Sequence, residues 1–377
     1  MNLRRVGAMA RKEFLHVLRD RRSLMLAVAM PAMMMVLFGW ALSLNVDNVP
    51  LVVYDQSQTR ASRDFIAAFT GSRYFALRGG VQNYRQLEQA IDSSQALAGL
   101  VIPVDFGRDI DSGKTVSVQF IIDGSDSNTA TIALGYAQIV TLTFSQNMAL
   151  EQLRRQGGRT IERPLDLRPR VWFNTDMESR NYIIPGLIAV IMMIVGALLT
   201  SLSVAREWER GTMEQLISTP VQAGELILGK LLPYFAIAMT DVILVVVMSQ
   251  VLFHVPLRGS VALLLILSSV FLAGVLCMGL LISIATRNQL MASQLGILLT
   301  FIPSYLLSGF IFSIANMPAW IQLVTYLVPA RYFITVLKGI YLKGVGLEVI
   351  GGQALMLLAF GAITVTLAKL KFRKKLG

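Results

Sequence analysis

The sequence predicts a polytopic α-helical membrane protein with six transmembrane helices and an external α/β domain between the first and second spans. Three observations carry this reading. Of 377 residues, 54% are hydrophobic and 15% charged, far below the roughly 25% charged of soluble domains, and mean hydropathy is +0.60. Apolar runs at Leu24 to Leu44, Ile183 to Val204, Leu226 to Phe253, Val261 to Ala285, Leu290 to Ile314 and Val349 to Ala368 each approach or exceed the ~20 residues a helix needs to cross ~30 Å of hydrocarbon. A long polar segment, 45–180, separates the first run from the other five.

Charge placement orients the spans. Residues 1–44 carry seven Lys+Arg and two acids, 45–180 carry 14 and 15, and 181–377 carry 13 and six. Cations close to spans mark the cytoplasmic side, whereas long loops translocate largely regardless of charge. Arg4, Arg5, Arg11, Lys12, Arg19, Arg21 and Arg22 precede the first span, and Lys369, Lys371, Arg373, Lys374 and Lys375 follow the last. Both termini are therefore expected inside, which an even number of spans requires, and 45–180 outside. The same bias accounts for the net charge of +11, and no basic run is interleaved with aromatics, which argues against nucleic acid as a partner.

Taken in order, residues 1–23 read as an amphipathic helix on the inner leaflet. Val6, Met9, Ala10, Phe14, Val17 and Leu18 recur at helical spacing with cations on other faces. The first span, 24–44, is too long for a signal core and follows a long basic leader, so it is read as uncleaved. In 45–180, strand-like runs at 51–54, 74–77, 98–103 and 116–122 alternate with helix-like stretches at 61–70, 84–93 and 126–155, which gives an α/β domain. Residues 163–180 lead back to the bilayer. Ser112, Gly113, Lys114 and Thr115 end like a phosphate loop, but Arg108 stands where its first glycine belongs and a strand follows. An ordinary turn is the expectation there.

The membrane domain, 181–377, carries the informative residues. Between the second and third spans lies Arg206, Glu207, Trp208, Glu209, Arg210, Gly211, Thr212, Met213, Glu214 and Gln215, too polar for lipid and too short for a domain. Its mixture of charges with the apolar Trp208, Met213, Leu216 and Ile217 at helical spacing reads as a short docking helix over 206–222. Asp241 sits mid-span, where an ionisable group is either functional or held by an interhelical hydrogen bond. The fifth run is broken by Pro303, Ser308 and Gly309, close to Phe310 and Phe312, and such irregularity at membrane depth borders a pathway or a subunit contact. A weaker stretch with Pro329, Arg331 and Lys338 reads as a re-entrant external hairpin over 315–338, because a seventh crossing would place the basic tail outside. Met192 and Met193 belong to a methionine group in the first two spans that suits promiscuous apolar surfaces but is also common in lipid-facing helices.

Chemistry is sparse. His16 and His254, the only histidines, fall on opposite sides in this topology, so no catalytic, metal or cofactor-binding residue is assigned. Cys277, the single cysteine, lies in the fourth span and cannot form an internal disulfide.

Together these residues resemble the membrane subunits of type-2 ABC exporters, in their bacterial drug-efflux-like branch. The resemblance covers essentially the whole chain. It rests on Lys12-Glu13 and Arg19-Asp20 before the first span, the large external segment, Asn181 to Gly186, Ala205 to Pro220 with Glu225 to Pro233, Pro303 to Phe312 and Pro329 to Phe333. It implies the type-2 ABC exporter fold and a permease in the bacterial inner membrane, paired with a second, identical or paralogous permease. A cytoplasmic ABC ATPase dimer that uses ATP and Mg would drive it; this chain would bind neither. By the same resemblance, 206–222 looks like the first coupling helix, and Thr286, Arg287, Asn288 and Gln289 look like the second coupling turn. Met192, Met193, Asp241, Pro303, Ser308, Gly309, Phe310 and Phe312 are the pathway or gate candidates, with walls from the second and fifth spans. Hydrophobic or amphiphilic drug-like cargo is expected, lipid contact is implied, and the external domain suits a periplasmic adaptor. Export of a lipid, glycan or peptide stays open. An ion-coupled secondary transporter would show more intramembrane charge and internal repeats, a receptor fewer spans, and a membrane enzyme a reactive constellation.

Overall fold

The computed structural model describes residues 2–20, 25–41, 48–155, 173–174, 178–219 and 221–372. Arg21, Arg22, the end of the first apolar run, most of 163–180, Pro220 and the basic tail at Arg373, Lys374 and Lys375 lie outside them. The chain divides into two compact units, 44–169 and the remainder.

In chain order, helix α1 (Leu3–Arg19) starts at Asn2, whose side chain accepts the Arg4 N–H. A π-helical stretch, Met25–Ala29, runs into α2 (Met30–Ala41). Among the described residues the apolar helix there covers Ala27–Ala41.

The unit 44–169 contains β1 (Val49–Asp55), α3 (Arg60–Thr70), β2 (Phe75–Gly80), α4 (Tyr84–Asp92), β3 (Ala98–Ile102), α5 (Phe106–Asp111), β4 (Gln119–Ile122) and α6 (Ser127–Arg155). The sheet order is β2-β1-β3-β4, with β1 parallel to both β2 and β3, and β4 antiparallel to β3. Period-two alternation explains why both faces are covered: Leu51, Val53 and Leu100 meet Phe65 and Phe69, while Val52 and Val101 meet Leu87. Two expectations are corrected. The fourth strand begins at Gln119 rather than 116, and the six-residue α5 lies where no helix was read. Ser112 caps α5, and Gly113 turns the chain at φ +72°.

The other unit continues with α7 (Ser179–Glu209), α8 (Thr212–Ser218), α9 (Ala223–Val251), α10 (Val261–Thr286), α11 (Gln289–Leu306), α12 (Ala319–Thr325), α13 (Pro329–Lys338) and α14 (Leu347–Lys371). Five of these, α7, α9, α10, α11 and α14, are long and apolar enough to cross a membrane. The fifth apolar run does not stay helical to Ile314. It ends at Leu306, and Gly309 at φ +81° reverses the chain, a conformation that costs a non-glycine residue roughly 1–2 kcal/mol. Helix α12 and the segment Pro329–Lys343 meet at 83°.

Helix α7 is the centre of this unit. It packs against α2, α9, α10, α11 and α13, and the whole of its most apolar window is buried. Small residues permit the approach: a Cβ on Gly279 of α10 would overlap Thr200 Oγ1 and the Ala197 carbonyl of α7. Ser283 Oγ of α10 also accepts the Val204 and Ala205 N–H groups of α7, at 3.0 and 2.9 Å.

Candidate functional site

The charged segment after the second apolar run is not one helix. Residues Arg206, Glu207, Trp208 and Glu209 complete α7, which ends where the Arg210 N–H donates to the Arg206 carbonyl and the Gly211 N–H to the Trp208 carbonyl. Gly211 at φ +68° then starts the separate helix α8. The expected 206–222 helix is thus broken at Gly211, because the left-handed turn there cannot continue a right-handed helix. Thr212 Oγ1 bridges the break by donating to the Glu207 carbonyl at 3.3 Å.

Burial sorts these residues. Glu207, 8% exposed, makes no surface ion pair: its Oε2 lies 2.8 Å from Lys230 Nζ and its Oε1 2.9 Å from Lys12 Nζ. Lys230, 1% exposed, also holds Glu13 Oε1 at 3.0 Å, and Glu13 is 3% exposed. Three buried charges from α1, α7 and α9 therefore share one cluster. It borders a cavity of about 180 Å³ lined by Lys12, Glu13, His16, Arg206, Glu207 and Tyr234, among others. Half-burial opposes the charge on Lys12, but the Glu207 and Glu13 carboxylates outweigh it and hold the ammonium above its usual range. Arg206 donates to Asp20 at 2.8 Å and to Gln289 at 3.4 Å. Met213, expected as an exposed anchor, is 2% exposed and packs among Met9, Val204 and Leu226.

What stays on the surface is narrower than the sequence suggests. Glu209, Arg210, Gly211, Glu214 and Gln215 are exposed, and Trp208 and Thr212 are partly so. The turn after α10 joins them. Arg287, left-handed at φ +54°, sets its guanidinium 4.5 Å from the Trp208 ring centroid, a cation–π contact. Asn288 caps α11 by accepting the Met291 N–H at 2.9 Å. Glu209 accepts the Gln289 N–H at 2.8 Å and its side-chain amide as well. The two turns form one surface, and α1 is fastened beside it where Glu225 accepts both the Gln222 N–H and the Asn2 N–H.

At the opposite end of the helices, Gly309 O accepts from Tyr182 OH and Lys338 Nζ, each at 3.3 Å. Phe310 is buried, its ring filling the space a Cβ on Gly186 would take, whereas Phe312 is exposed. Ser308 Oγ donates to the Ser304 carbonyl, and Pro303 lies inside α11. Met192 and Met193 are enclosed on α7 within this unit. Asp241, 5% exposed, has no hydrogen-bond partner for either oxygen among the described residues; the interhelical bond considered for it is not made.

Sequence reading missed Lys230 and Tyr182. Lys230 interrupts the run Leu226 to Phe253, and the rule that singles out Asp241 applies equally to it.

The chain matches the ABC-2 family transporter protein family over residues 21–370. It belongs to that family. Among its relatives, the probable multidrug ABC transporter permease YbhS of Escherichia coli (strain K12) is 39% identical over 378 residues, covering 100% of this chain and 98% of YbhS. The probable multidrug ABC transporter permease YbhR of the same organism is 30% identical over 371 residues, 98% of this chain and 99% of YbhR. The linearmycin resistance permease protein LnrN of Bacillus subtilis (strain 168) is 23% identical over 384 residues, 96% of this chain and 97% of LnrN. This permease is thus a multi-pass helical membrane subunit of a type-2 ABC transporter, not an enzyme, and the ATPase is a separate subunit.

Proposed function

We propose that this permease exports hydrophobic or amphiphilic, drug-like compounds across a bacterial inner membrane, driven by a cytoplasmic ATPase dimer that uses ATP and Mg. A second permease copy or paralogue completes the pathway. In this reading both termini are cytoplasmic, residues 45–180 are external and open to a periplasmic adaptor, α2 supplies the first of six crossings, and α12 with α13 forms a re-entrant outer hairpin.

The observation that carries the reading is the joined surface at the inner end. A partner that changes shape on ATP binding shifts the membrane unit only through contacts that differ between states. Exposed Glu209, Arg210, Glu214 and Gln215 offer such contacts, and Arg287 over Trp208 with Gln289 on Glu209 makes two separate turns receive the push as one. The buried Lys230 cluster passes it to α1, α7 and α9. The names of YbhS and LnrN, which mention multidrug transport and linearmycin resistance, favour amphiphilic cargo. Because α7 is enclosed, the pathway is assigned to the exposed face of α11, including Ile297, Leu298 and Ile302, and to the 307–313 turn as outer gate.

The test uses the permease co-reconstituted with its ATPase. Glu209→Ala, Arg210→Ala and Glu214→Ala together are expected to abolish drug-stimulated hydrolysis. Cys277 is the single native cysteine and is buried, so Glu214→Cys gives a clean cross-linking probe, expected to capture the ATPase. Unchanged stimulation in the triple variant, or no captured ATPase, sinks the assignment.

A further inference from the structure

Residues 242–347 contain no aspartate or glutamate, yet they carry Arg258, Arg287, Arg331, Lys338 and Lys343. Arg287 belongs to the inner turn already described. The other four follow the C-terminal end of α9 or lie on the bent hairpin and its exit, at the end of the unit opposite the Lys230 cluster. Cations next to spans concentrate on the cytoplasmic side, so four of them at the other end, beyond what Glu178 and Glu348 can balance there, call for a cause other than topology.

Lys338 shows what that cause is. It is half-buried at the end of α13. Its ammonium sits 3.3 Å from the Tyr182 ring centroid and donates to Gly309 O at 3.3 Å, and neither partner carries a formal negative charge. The carboxylate nearest Tyr182 in sequence, Glu178, is engaged by Arg180 at 3.0 Å. Among the described residues Lys338 has no ion-pair partner. An ammonium has three donors, of which this one gives a single hydrogen bond to protein. Arg331 repeats the pattern: its guanidinium lies 3.9 Å from the Tyr326 ring centroid and donates to Thr325 Oγ1. A partly desolvated cation is stable when a hydrogen-bonded counter-charge completes it.

We propose that Lys338, with the Tyr182 ring and the Gly309 turn, binds the anionic head group of an amphiphile, a carboxylate or phosphate whose tail stays in the apolar phase. The proposal rests on reading the 307–313 turn as the outer gate, and it gives that gate a cargo chemistry. The anion competes with the Gly309 carbonyl for the same ammonium, so binding loosens the bond that closes the turn onto α13. A transported amphiphile and a bilayer phospholipid present the same chemistry to this site.

The complex of full-length permease and ATPase is reconstituted in phosphatidylcholine vesicles, and hydrolysis is titrated with dodecyl phosphate and with dodecyltrimethylammonium. Half-maximal stimulation by the phosphate is expected at a concentration at least about tenfold lower, the scale of one charge-assisted hydrogen bond. Lys338→Gln removes the difference and Lys338→Arg retains it. Equal half-saturation by the two amphiphiles, or a tenfold preference surviving in Lys338→Gln, overturns the proposal. Native mass spectrometry of the permease alone reads the site without hydrolysis: retention of phosphatidylglycerol over phosphatidylcholine is expected and is lost in Lys338→Gln. No head-group preference there rejects the site even if transport is confirmed, and a preference there upholds it even if coupling to an ATPase fails. Phosphatidylglycerol in the vesicles that abolishes the dodecyl phosphate response identifies the occupant as bilayer lipid; an undiminished response identifies it as cargo.

Discussion

Lys230→Met is the sharpest test of how the inner end is held together. The substitution keeps the volume and removes an ammonium that is 1% exposed and lies 3.0 Å from Glu13 and 2.8 Å from Glu207. Breaking a buried ion pair by deleting one partner costs about 3–5 kcal/mol, since the other charge stays buried. Lys12 remains 2.9 Å from Glu207 and 3.7 Å from Glu13, which places the expectation near the lower end, about 3 kcal/mol, or roughly two decades in the folded-to-unfolded ratio. Lys12→Met is expected to cost no more than about 1 kcal/mol, because that side chain is half exposed and its pairs are screened by solvent. Replacing Glu13, Lys230 and Glu207 together by Met should recover most of the loss, as apolar replacement of a whole buried ionic group is often neutral or stabilising. The assay is equilibrium unfolding of the detergent-solubilised permease followed by tryptophan fluorescence. A Lys230→Met variant within about 1 kcal/mol of the parent, or no recovery in the triple variant, refutes the reasoning. If the recovered variant has lost stimulated hydrolysis by its ATPase, the cluster transmits force; if it keeps it, the cluster only stabilises.

Three further outcomes are expected. Gly279→Ala drives a methyl into Thr200 and the Ala197 carbonyl and should destabilise by about 1–3 kcal/mol, measured by the same unfolding assay. Asp241→Leu removes two buried oxygens that lack partners among the described residues and should stabilise by about 1–3 kcal/mol; a more stable variant that no longer transports would mark Asp241 as a working group. Lys12 is held above its usual range by Glu207 and Glu13 against the opposing effect of burial. Its contribution is therefore fully present below the unfolded value of about 10.5 and fades as pH rises through the higher folded value. Unfolding midpoints should fall over that alkaline window in the parent and fall less in Lys12→Met.

Much of this was legible because local pattern and global fold agree. The short continuous apolar runs Leu51 to Tyr54 and Ala98 to Ile102 report strands covered on both faces, and the long apolar runs report helices. Legibility failed where a single backbone angle or a distant partner decides. Val116 and Val118 alternate like a strand yet precede β4, and α5 is too short for its periodicity to register. Residues 307–314 contain no charge, so composition carries the fifth run past Leu306 while Gly309 at φ +81° ends it. Gly211 looked like one polar residue in a charged run until its φ of +68° split that run into α7 and α8. The charges themselves misled most: Glu207 reads as surface polarity in sequence, and only Lys12 and Lys230, 195 and 23 positions away, make its burial tolerable.

The enclosure of α7 changes what couples the two ends. A pathway wall would be expected to present side chains to a partner subunit, but α7 presents nearly all of its apolar length to its own chain. Its 31 residues span about 46 Å at 1.5 Å per residue, of which about 38 Å separate Tyr182, beside the Gly309 carbonyl and Lys338, from Glu207, beside Lys230. A helix packed on every side at the density of a protein interior cannot bend or slide without displacing its neighbours. If an ATPase docks as proposed, displacement of Glu207 would therefore reach Tyr182 as movement of a rod rather than as a relay of side-chain rearrangements. Under the proposed function α7 would be the drive shaft between the inner surface and the outer turn, and α11, with its exposed face, the wall that the shaft moves.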